Sequence, residues 1–376
     1  EKEEAPGGRV RTDSVQGFRL DRGFQVWLEA YPQCRKRLSP SSLRAGAFGS
    51  GAMIFDGNRL RLFADPFRHP SAALSSLLHP VGSLGDKLRL QMLRRRLSRR
   101  SLPELLSGEE FSTLDHWRRL GFSPEMIRGF LAPFFRGIFL AEPEEISRRM
   151  FDFVFSMFGQ GPALLPAGGI QAIPDALAEG LTPEELRLST PVQRVSAGEV
   201  LTVAGEKIPA AAVVVSSATP ETLEAAPERK CLTPRAVSCL YFDAPAAPVQ
   251  GPWLVLNGSG SGRVTQVAVH SAVAAELAPE GRHLISVSLN GSEADFSEIT
   301  GELRRWFGPA VEDWNFLRTY EIPHALPAFG PGELPGPGFV EQEGVLYCGD
   351  NFSHPSLQGA MESGERAAKE LLNRLR

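Results

Sequence analysis

The spacing of apolar and polar residues changes several times along the first half of the chain. Apolar and polar residues alternate at residues 18–21, which predicts a short strand. From about residue 66 to residue 158 the apolar residues recur every three or four positions. That period predicts a block of helices, and Ser101 and Ser123 carry the capping signals of two helix starts. Residues 160–168, rich in Gly and Pro, are expected to form a loop after this block.

Most of the predicted strands lie in the second half of the chain. Short strands are expected near residues 191–195, 200–203 and 212–216. The last of these contains three consecutive valines, a pattern typical of a strand buried on both faces. A strand-rich stretch follows over residues 237–289, and a helix is predicted over residues 296–307.

The chain ends in a predicted strand at residues 345–348, a turn and a helix. Strand and helix signals at both ends and in the middle are separated by a helical block and a strand-rich block. With a length of 376 residues, this alternation predicts two interleaved domains. We expect the final helix to pack through an apolar stripe of Met361, Gly364, Ala368, Leu371 and Leu375.

Composition excludes several classes of function. The 40 basic and 44 acidic residues leave a net charge of -4, so no overall field attracts nucleic acid. The four cysteines form no CxxC pair and the seven histidines show no metal-like spacing, so neither a disulfide framework nor a metal site is expected. No secretory signal and no apolar run of membrane-spanning length is found, which predicts a cytoplasmic protein.

The first segment with candidate cofactor chemistry is at the start of the chain. Glu1 is followed by the turn Gly7-Gly8-Arg9. A carboxylate can accept hydrogen bonds from both ribose hydroxyls of an adenine dinucleotide, and paired glycines let backbone amides approach a diphosphate. Taken alone, the same residues are also typical of an ordinary surface turn.

The second segment is at the other end. Gly349 and Asp350 follow the last predicted strand, and a helix begins near Ser356. Such a helix would direct the positive end of its dipole toward an anionic group. By itself this is also an ordinary strand, loop and helix.

Together the two segments resemble the flavin-dependent amine oxidase superfamily, which includes monoamine oxidases, protoporphyrinogen oxidase and carotenoid desaturases. Residues 166–169, Val192 and residues 218–220 are further family-like features. The resemblance implies FAD as the cofactor and an α/β fold, with a Rossmann-like FAD-binding domain interleaved with an α+β substrate domain. The residues it implies at the cofactor are Glu1, Gly7, Gly8, Arg9, Val192, Gly349, Asp350, Leu357 and Gln358.

The resemblance also implies a division of the chain into two domains. The FAD-binding domain is expected to comprise residues 1–45, 160–235 and 340–376. The substrate-binding domain, which includes the helical block, is expected to comprise residues 46–159 and 236–339.

One feature of the family is not found. Its members begin with a strand, a GxGxxG turn and a helix, and no such segment precedes Glu1. We therefore expect the N-terminal βαβ start to be missing from this sequence, and FAD binding by the chain to be weak or absent.

The substrate side departs from the amine oxidases of the family. Ser356 stands where they have an aromatic ring beside the flavin, and Ser238 aligns with their lysine, so an amine substrate is the weaker expectation. Eight phenylalanines lie between Phe130 and Phe158. They favour an apolar tunnel for an apolar substrate, although phenylalanines at helical spacing are also typical of a plain core. No catalytic acid or base is assigned.

A basic stretch suggests one further partner. Seven basic residues and no acidic residue lie between Lys87 and Arg100, and we expect Leu84, Leu88, Leu93 and Leu97 to share one stripe of the helix. A helix at residues 84–100 could make peripheral contact with a membrane, and a solvated charged face is the alternative.

These observations predict an FAD-dependent oxidoreductase that transfers a hydride from an apolar substrate to flavin N5. The alternatives are a non-enzymatic lipid or isoprenoid carrier on the same fold, or a truncated and inactive fragment.

Overall fold

The structure, a computed structural model, describes residues 1–216, 234–291 and 295–374. Residues 218–220, Cys231 and Leu375 of the sequence analysis lie outside these ranges. The strands are β1 (Thr12–Val15), β2 (Phe18–Asp21), β3 (Trp27–Leu28), β4 (Gly46–Ala47), β5 (Gly51–Phe55), β6 (Leu60–Ala64), β7 (Ala163–Leu165), β8 (Val192–Ser196), β9 (Glu199–Thr202), β10 (Lys207–Pro209), β11 (Val213–Val215), β12 (Pro234–Ala244), β13 (Leu254–Asn257), β14 (Val264–Val269), β15 (His283–Asn290), β16 (Asn315–Pro327), β17 (Phe339–Gln342) and β18 (Val345–Cys348). The helices are α1 (Pro32–Arg37), α2 (Ala73–Leu77), α3 (Leu84–Leu97), α4 (Leu102–Leu105), α5 (Thr113–Arg119), α6 (Pro124–Met126), α7 (Ala132–Phe139), α8 (Arg148–Gln160), α9 (Ala172–Ala178), α10 (Phe296–Phe307) and α11 (Leu357–Arg374).

A seven-stranded sheet is the largest layer of the fold, and its strands come from two distant parts of the chain. Their order is β16-β12-β15-β14-β13-β5-β6, so the hairpin β5-β6 joins β13 at one side. The pair β13-β5 is parallel and the other neighbours are antiparallel. Side chains alternate between the faces of the sheet. On β12, Leu240 and Phe242 pack in one cluster with Leu303 of α10, whereas Val237 lies on the opposite face.

A three-stranded sheet of order β11-β18-β17 holds the last strand of the chain, and β11 and β18 are parallel. The strand predicted near residues 212–216 is present, but it is not buried on both faces. Val214 is 39% exposed. The physical reason is that Val214 faces a cavity rather than a packed layer.

Strands β7 and β10 are among those that the pattern of residues did not predict. Strand β7 lies within residues 160–168, where we predicted a loop, and it pairs with both β3 and β4. Strand β10 pairs with β9. Each has only three residues, too few to show a period, so pairing decides their conformation. The partners of β7 are distant in the chain, whereas β10 pairs with the strand just before it.

The helical block packs around large aromatic side chains. Trp117, Phe135 and Phe151 are fully buried, and the ring centroids of Phe135 and Phe151 lie 4.7 Å apart. The predicted helix starts are confirmed, because Ser101 directly precedes α4 and Ser123 directly precedes α6.

Helix α11 uses a different face from the one we predicted. Gly364 and Ala368 of the expected stripe are exposed. The helix lies close to β17 and β18, and small side chains permit that approach. Its buried residues are Gln358, Gly359, Ser363 and Ala367.

Candidate cofactor and substrate site

A cavity of about 2300 Å³ lies between the start of the chain, the seven-stranded sheet, the helical block and the start of α11. Pockets for one small molecule usually measure about 300–1,000 Å³, so this cavity exceeds what one such ligand needs. Eight of the nine residues implied at the cofactor line it, and the exception is Gln358.

The turn at Gly7 and Gly8 forms one wall of this cavity. Both glycines have a positive φ, +122° at Gly7 and +58° at Gly8. A Cβ atom at Gly7 would lie 2.5 Å from the carbonyl oxygen of Val10 and 2.7 Å from Cγ of Pro174. A Cβ atom at Gly8 would meet nothing within 4 Å. Gly7 is therefore required for packing, while Gly8 leaves backbone open toward the cavity.

An ion pair joins the two ends of the chain at this wall. The guanidinium of Arg9 donates to Oδ1 of Asp350 at 2.5 Å and to the carbonyl oxygen of Ala325 at 2.9 Å. The Asp350 side chain is only 10% exposed, whereas that of Arg9 is 45% exposed. The two sequence segments therefore meet in space as one unit, with strand β16 as its third partner.

Glu1 and Val192 lie together at the same end of the cavity. The carbonyl oxygen of Glu1 accepts a hydrogen bond from Thr190 N at 2.8 Å, which places the first residue beside the approach to β8. The carboxylate of Glu1 accepts from the backbone N–H of Glu3 at 3.1 Å. This contact holds the carboxylate close to its own backbone.

Gly349 makes the turn from β18 to the region before α11. It has a φ of +145°, and a Cβ atom there would lie 2.7 Å from Oδ1 of Asn351. Its N–H donates to Oγ of Ser363 at 2.6 Å. The turn is thereby attached to α11 and presents Asp350 to the cavity.

The start of α11 also faces the cavity, through Ser356 and Leu357. Oγ of Ser356 accepts from the N–H of Gly359 at 2.9 Å, which caps one N–H group of the first turn. The remaining N–H groups of a first turn have no acceptor within the helix, and the helix dipole makes this end positive. An electronegative edge of a ligand is the group that this position favours.

The side chain of Gln358, unlike the other eight residues, is directed away from the cavity. It is 1% exposed, and its Oε1 accepts from the backbone N–H of Gln33 at 2.8 Å. The side chain therefore connects α11 to α1 and does not line the cavity. Only the backbone of Gln358, in the first turn of the helix, remains available to the implied cofactor.

His354 contacts the start of α11. Its Nδ1 lies 2.9 Å from Oγ of Ser356. A Cβ atom at Gly359 would lie 2.0 Å from the carbonyl oxygen of His354, so the helix can begin here only with glycine at that position. Burial, with a smaller contribution from the Arg366 charge, lowers the pKa of His354 to about 4. The imidazole is therefore neutral at pH 7.

Sequence analysis missed a buried carboxyl behind the glycine turn. Asp21 is 1% exposed, and its Oδ1 accepts from Thr12 Oγ1 at 2.6 Å and from Ile170 N at 2.9 Å. Thr12 Oγ1 in turn accepts from the N–H of Gln171 at 3.0 Å. Burial raises the pKa of Asp21 to about 6, against the two hydrogen bonds that it accepts. The sequence feature that could have indicated this carboxyl is that the alternating strand at residues 18–21 ends in a polar residue.

This network explains the family-like residues 166–169. Gly169 has a φ of +78°, and a Cβ atom there would lie 2.5 Å from Thr12 Oγ1 and 2.8 Å from Asp21 Oδ1. Glycine therefore lets the loop pass against the carboxyl. The loop leads into α9, whose Pro174 contacts the position of Gly7.

The other part of the cavity is aromatic. Of the eight phenylalanines between Phe130 and Phe158, three are fully buried core residues: Phe135, Phe151 and Phe153. The other five line the cavity: Phe130, Phe134, Phe139, Phe155 and Phe158. The segment is therefore divided between core residues and residues of the cavity wall.

Gln266 is a polar side chain within this apolar region that sequence analysis did not single out. It is 5% exposed and lines the cavity from β14. A Cβ atom at Gly137 would lie 2.3 Å from its Oε1, so the amide lies against α7. Its amide group has no hydrogen-bond partner among the described residues and is available to a ligand.

Ser238 does not occupy the position that we inferred for it. It is fully buried, and its Oγ donates to the carbonyl oxygen of Gly291 at 3.0 Å. Its neighbour Val237 lines the cavity instead. The alternation of side chains along β12 is the reason, because a shift of one residue moves a side chain to the opposite face.

Thiols and metal-binding groups add no chemistry in the described part of the chain. Cys34, Cys239 and Cys348 are free and buried, and burial raises the pKa of all three thiols. No group of three His, Cys, Asp or Glu residues there is arranged to hold a metal ion.

Both ends of the chain thus meet at one wall of a large, partly aromatic cavity. Comparison with solved structures shows that the fold is that of flavin-dependent oxidoreductases. More narrowly, the chain belongs to the flavin-containing amine oxidoreductase family, whose model matches residues 1–372. This confirms the resemblance seen in the sequence and identifies the chain as a member of an enzyme family with a flavin cofactor.

Several solved structures share the fold. An oxidoreductase from Methanosarcina mazei matches with a TM-score of 0.72 and 16% identity, over 98% of this chain and 93% of that one. A variant of putrescine oxidase gives a TM-score of 0.68 and 14% identity, over 100% and 92%. A protein assigned as a protoporphyrinogen oxidase from Exiguobacterium sp. 255-15 gives 0.68 and 17%, over 99% and 92%. No curated protein sequence matches the chain.

The residues present fit a flavin cofactor. Gly8 offers open backbone at the cavity wall, and Arg9 is held in place by Asp350. The capped start of α11 faces the same cavity. Together these groups provide a glycine cradle, a fixed cation and a helix N-terminus, which suit a diphosphate and an electronegative ring edge.

Proposed function

We propose that the chain is an FAD-dependent oxidoreductase that removes hydrogen from an apolar substrate by hydride transfer to flavin N5. The observation that carries the proposal is the composition of the cavity. The glycine turn and the Arg9–Asp350 pair line it together with a wall of phenylalanines. Bound FAD supplies the hydride-accepting chemistry, and the protein supplies binding, orientation and exclusion of water.

The first part of the proposal concerns the adenosine and diphosphate side. Glu1 would accept hydrogen bonds from ribose hydroxyls, with Val192 beside the adenine, since both line the same end of the cavity. Gly7 and Gly8 would bring backbone amides to the diphosphate. Arg9 would add a positive charge, which Asp350 and the carbonyl of Ala325 hold in place.

The second part concerns the flavin ring. Asp350 and Leu357 lie next to the start of α11, and its positive end would favour the N1 and C2 carbonyl edge of the ring. Gly349 would keep Asp350 at this position through its bond to Ser363. No side chain is required to act as an acid or base.

The third part concerns the substrate. Phe130, Phe134, Phe155 and Phe158 would orient an apolar molecule and exclude water from it. The amide of Gln266 would hydrogen-bond one polar group of that molecule. With serine at position 356, this wall does not have the aromatic ring that amine oxidases of the family place beside the flavin, which favours an apolar substrate over an amine.

The experiment for the cofactor is a flavin-retention assay. The chain is incubated with FAD or with FMN, freed of unbound flavin, and its visible spectrum is recorded. A second version carrying a strand–GxGxxG–helix segment before Glu1 is measured in parallel. Gly7→Val should retain at least tenfold less FAD, because of the 2.5 Å approach to Val10. Gly301→Ala is the matched control, since a Cβ atom there meets nothing within 4 Å.

The version with the added segment is expected to retain FAD over FMN, the chain without it to retain less, and Gly7→Val to lower retention in either version. Absence of flavin from both versions would overturn the proposal. For the substrate, the flavin-loaded protein is mixed without oxygen with a polyisoprenoid hydrocarbon or with putrescine. Bleaching of the flavin by the hydrocarbon is expected, and bleaching by putrescine alone would contradict the apolar substrate.

A further inference from the structure

Exposed apolar side chains are concentrated in one short part of the chain. Of the sixteen large hydrophobic residues that are exposed among the described residues, seven lie between residues 67 and 92. Single exposed apolar residues are normal on a protein surface, but a cluster of this kind marks an interaction site. The seven residues, which we call the apolar rim, are Phe67, Leu74, Leu77, Leu78, Leu84, Leu88 and Met92.

The apolar rim is held together by one lysine. Nζ of Lys87 donates to the carbonyl oxygen of Leu77 at 2.6 Å and to that of His79 at 2.7 Å. These bonds attach α3 to the end of α2. The exposed leucines of the two helices therefore belong to one continuous surface.

The exposed face of helix α3 carries apolar residues followed by a basic residue. Leu84, Leu88 and Met92 are four residues apart, are 62–63% exposed, and lie on one face. Arg95 continues the same face by helical geometry. The buried residues of this helix are Leu90, Leu93 and Leu97, with Asp86. This corrects our expectation that Leu84 and Leu88 share a stripe with Leu93 and Leu97.

Part of the apolar rim adjoins the cavity. Leu74 and Leu77 of α2 belong to the rim and also line the cavity, together with Lys87 and Gln91 of α3. Phe130 of the aromatic wall lies in the same cavity. A molecule leaving an apolar phase at this surface would thus reach a cavity that Phe130 also lines.

The charge beside the rim identifies the partner. Between Lys87 and Arg100 there are seven basic residues and no acidic one, although the whole chain has a net charge of -4. Arg95, Arg96 and Arg99 form no ion pair with any described residue. An apolar surface flanked by unpaired arginines complements a bilayer that carries anionic headgroups.

We propose that α2, α3 and the segment between them dock on the surface of an anionic lipid bilayer, with the apolar rim inserted at the level of the headgroups. No helix in the described residues combines the length and hydropathy needed to cross a bilayer, so the contact is peripheral. Docking itself does not depend on flavin. The further step, entry of the substrate from the bilayer, rests on the function proposed above.

The test is flotation of the purified chain with vesicles, read without flavin or turnover. Vesicles of phosphatidylcholine alone are compared with vesicles of equal parts phosphatidylcholine and phosphatidylglycerol. Binding to the anionic vesicles is expected, and it should weaken as salt increases. Leu84→Glu/Leu88→Glu should abolish it. Arg95→Gln/Arg99→Gln should weaken it about fivefold for each arginine. The matched control is Leu334→Glu/Leu372→Glu, because Leu334 and Leu372 are 67% and 56% exposed elsewhere.

Three results would overturn the docking proposal. The first is absence of binding to either vesicle, and the second is equal loss of binding in the control variant. The third is a dimer by light scattering that Leu84→Glu/Leu88→Glu converts to a monomer, since a second copy would then cover the rim. Because the substituted side chains are exposed, unchanged thermal unfolding should show that all variants are folded.

Discussion

The two ends of the cavity are built in different ways. At the cofactor end the chemistry comes from backbone conformation and from residues far apart in the chain, since Arg9 and Asp350 are separated by 341 positions. At the aromatic end it comes from neighbouring helical residues, such as Phe130 and Phe134, whose ring centroids lie 5.7 Å apart. The first end depends on a few positions with narrow tolerances. The second depends on the summed contact area of several rings.

This difference predicts two kinds of mutational response. A change at the cofactor end should lower flavin binding sharply and leave much of the helical block intact. A change at the aromatic end should act in proportion to burial, because packing free energy scales with the area removed from water.

The largest expected effect is on stability, and it distinguishes core phenylalanines from cavity-lining phenylalanines at the aromatic end. Phe135→Ala removes a fully buried ring and should lower the free energy of unfolding by about 3–5 kcal/mol. Phe134→Ala, next to it but lining the cavity, should cost about 1–2 kcal/mol, because its ring is only partly buried. Urea unfolding of both variants measures this. Equal losses would show that the wall is structurally part of the core.

The next largest effect is expected at Asp21, the buried carboxyl behind the glycine turn of the cofactor end. Its folded pKa, about 6, is above its ordinary value of 3.8, so the folded state binds the proton more tightly. The stabilisation that this tighter proton binding gives the folded state is fully present below pH 3.8 and is lost as the pH rises toward about 6. Asp21→Asn should therefore stabilise the protein by about 3 kcal/mol above that pH and have no effect below it.

Urea unfolding of Asp21→Asn and the parent chain at several pH values measures this difference. Comparison at each pH removes the contribution of His354, whose lowered pKa acts in the opposite direction as the pH falls from 6.5 toward about 4. A difference that does not change with pH would mean that the pKa of Asp21 is the same in the folded and unfolded states.

A smaller effect is expected for the ion pair that joins the chain ends. Arg9→Gln and Asp350→Asn should each lower FAD affinity about tenfold, and the double variant should lose little more, because the two groups act as one unit. Titration of flavin fluorescence measures the affinities. Arg366→Gln is the control, because its pair with Glu362 lies outside the cavity and is partly exposed. Additive losses would contradict a shared role.

The smallest effect concerns selectivity at the aromatic end. Gln266→Leu should change the preference between apolar substrates with and without a hydroxyl or carbonyl group by about three- to tenfold, the worth of one neutral hydrogen bond. Relative rates of flavin reduction measure this preference. Gln160→Leu, whose side chain is exposed and does not line the cavity, should leave it unchanged. Loss of flavin in Gln266→Leu would place this residue at the cofactor instead.

Much of this molecule follows from local sequence. Helix α10 and strand β18 have the bounds that periodicity predicts, because a strong repeat and clear stop residues act within one element. The turns at Gly7 and Gly349 were also recognisable, since positive φ favours glycine wherever such a turn occurs. The sequence by itself therefore determined these elements, the candidate residues at both chain ends and the family.

The tertiary structure decided what covers each face. Periodicity groups residues on one side of a helix or strand but does not say whether that side meets protein, solvent or a cavity. For this reason Gln358 and Ser238 are buried away from the cavity, and Leu84 and Leu88 are exposed. The same reason divides the phenylalanines into core and wall. Contacts between residues hundreds of positions apart, such as Arg9 with Asp350, exist only once the chain has folded and have no local signal.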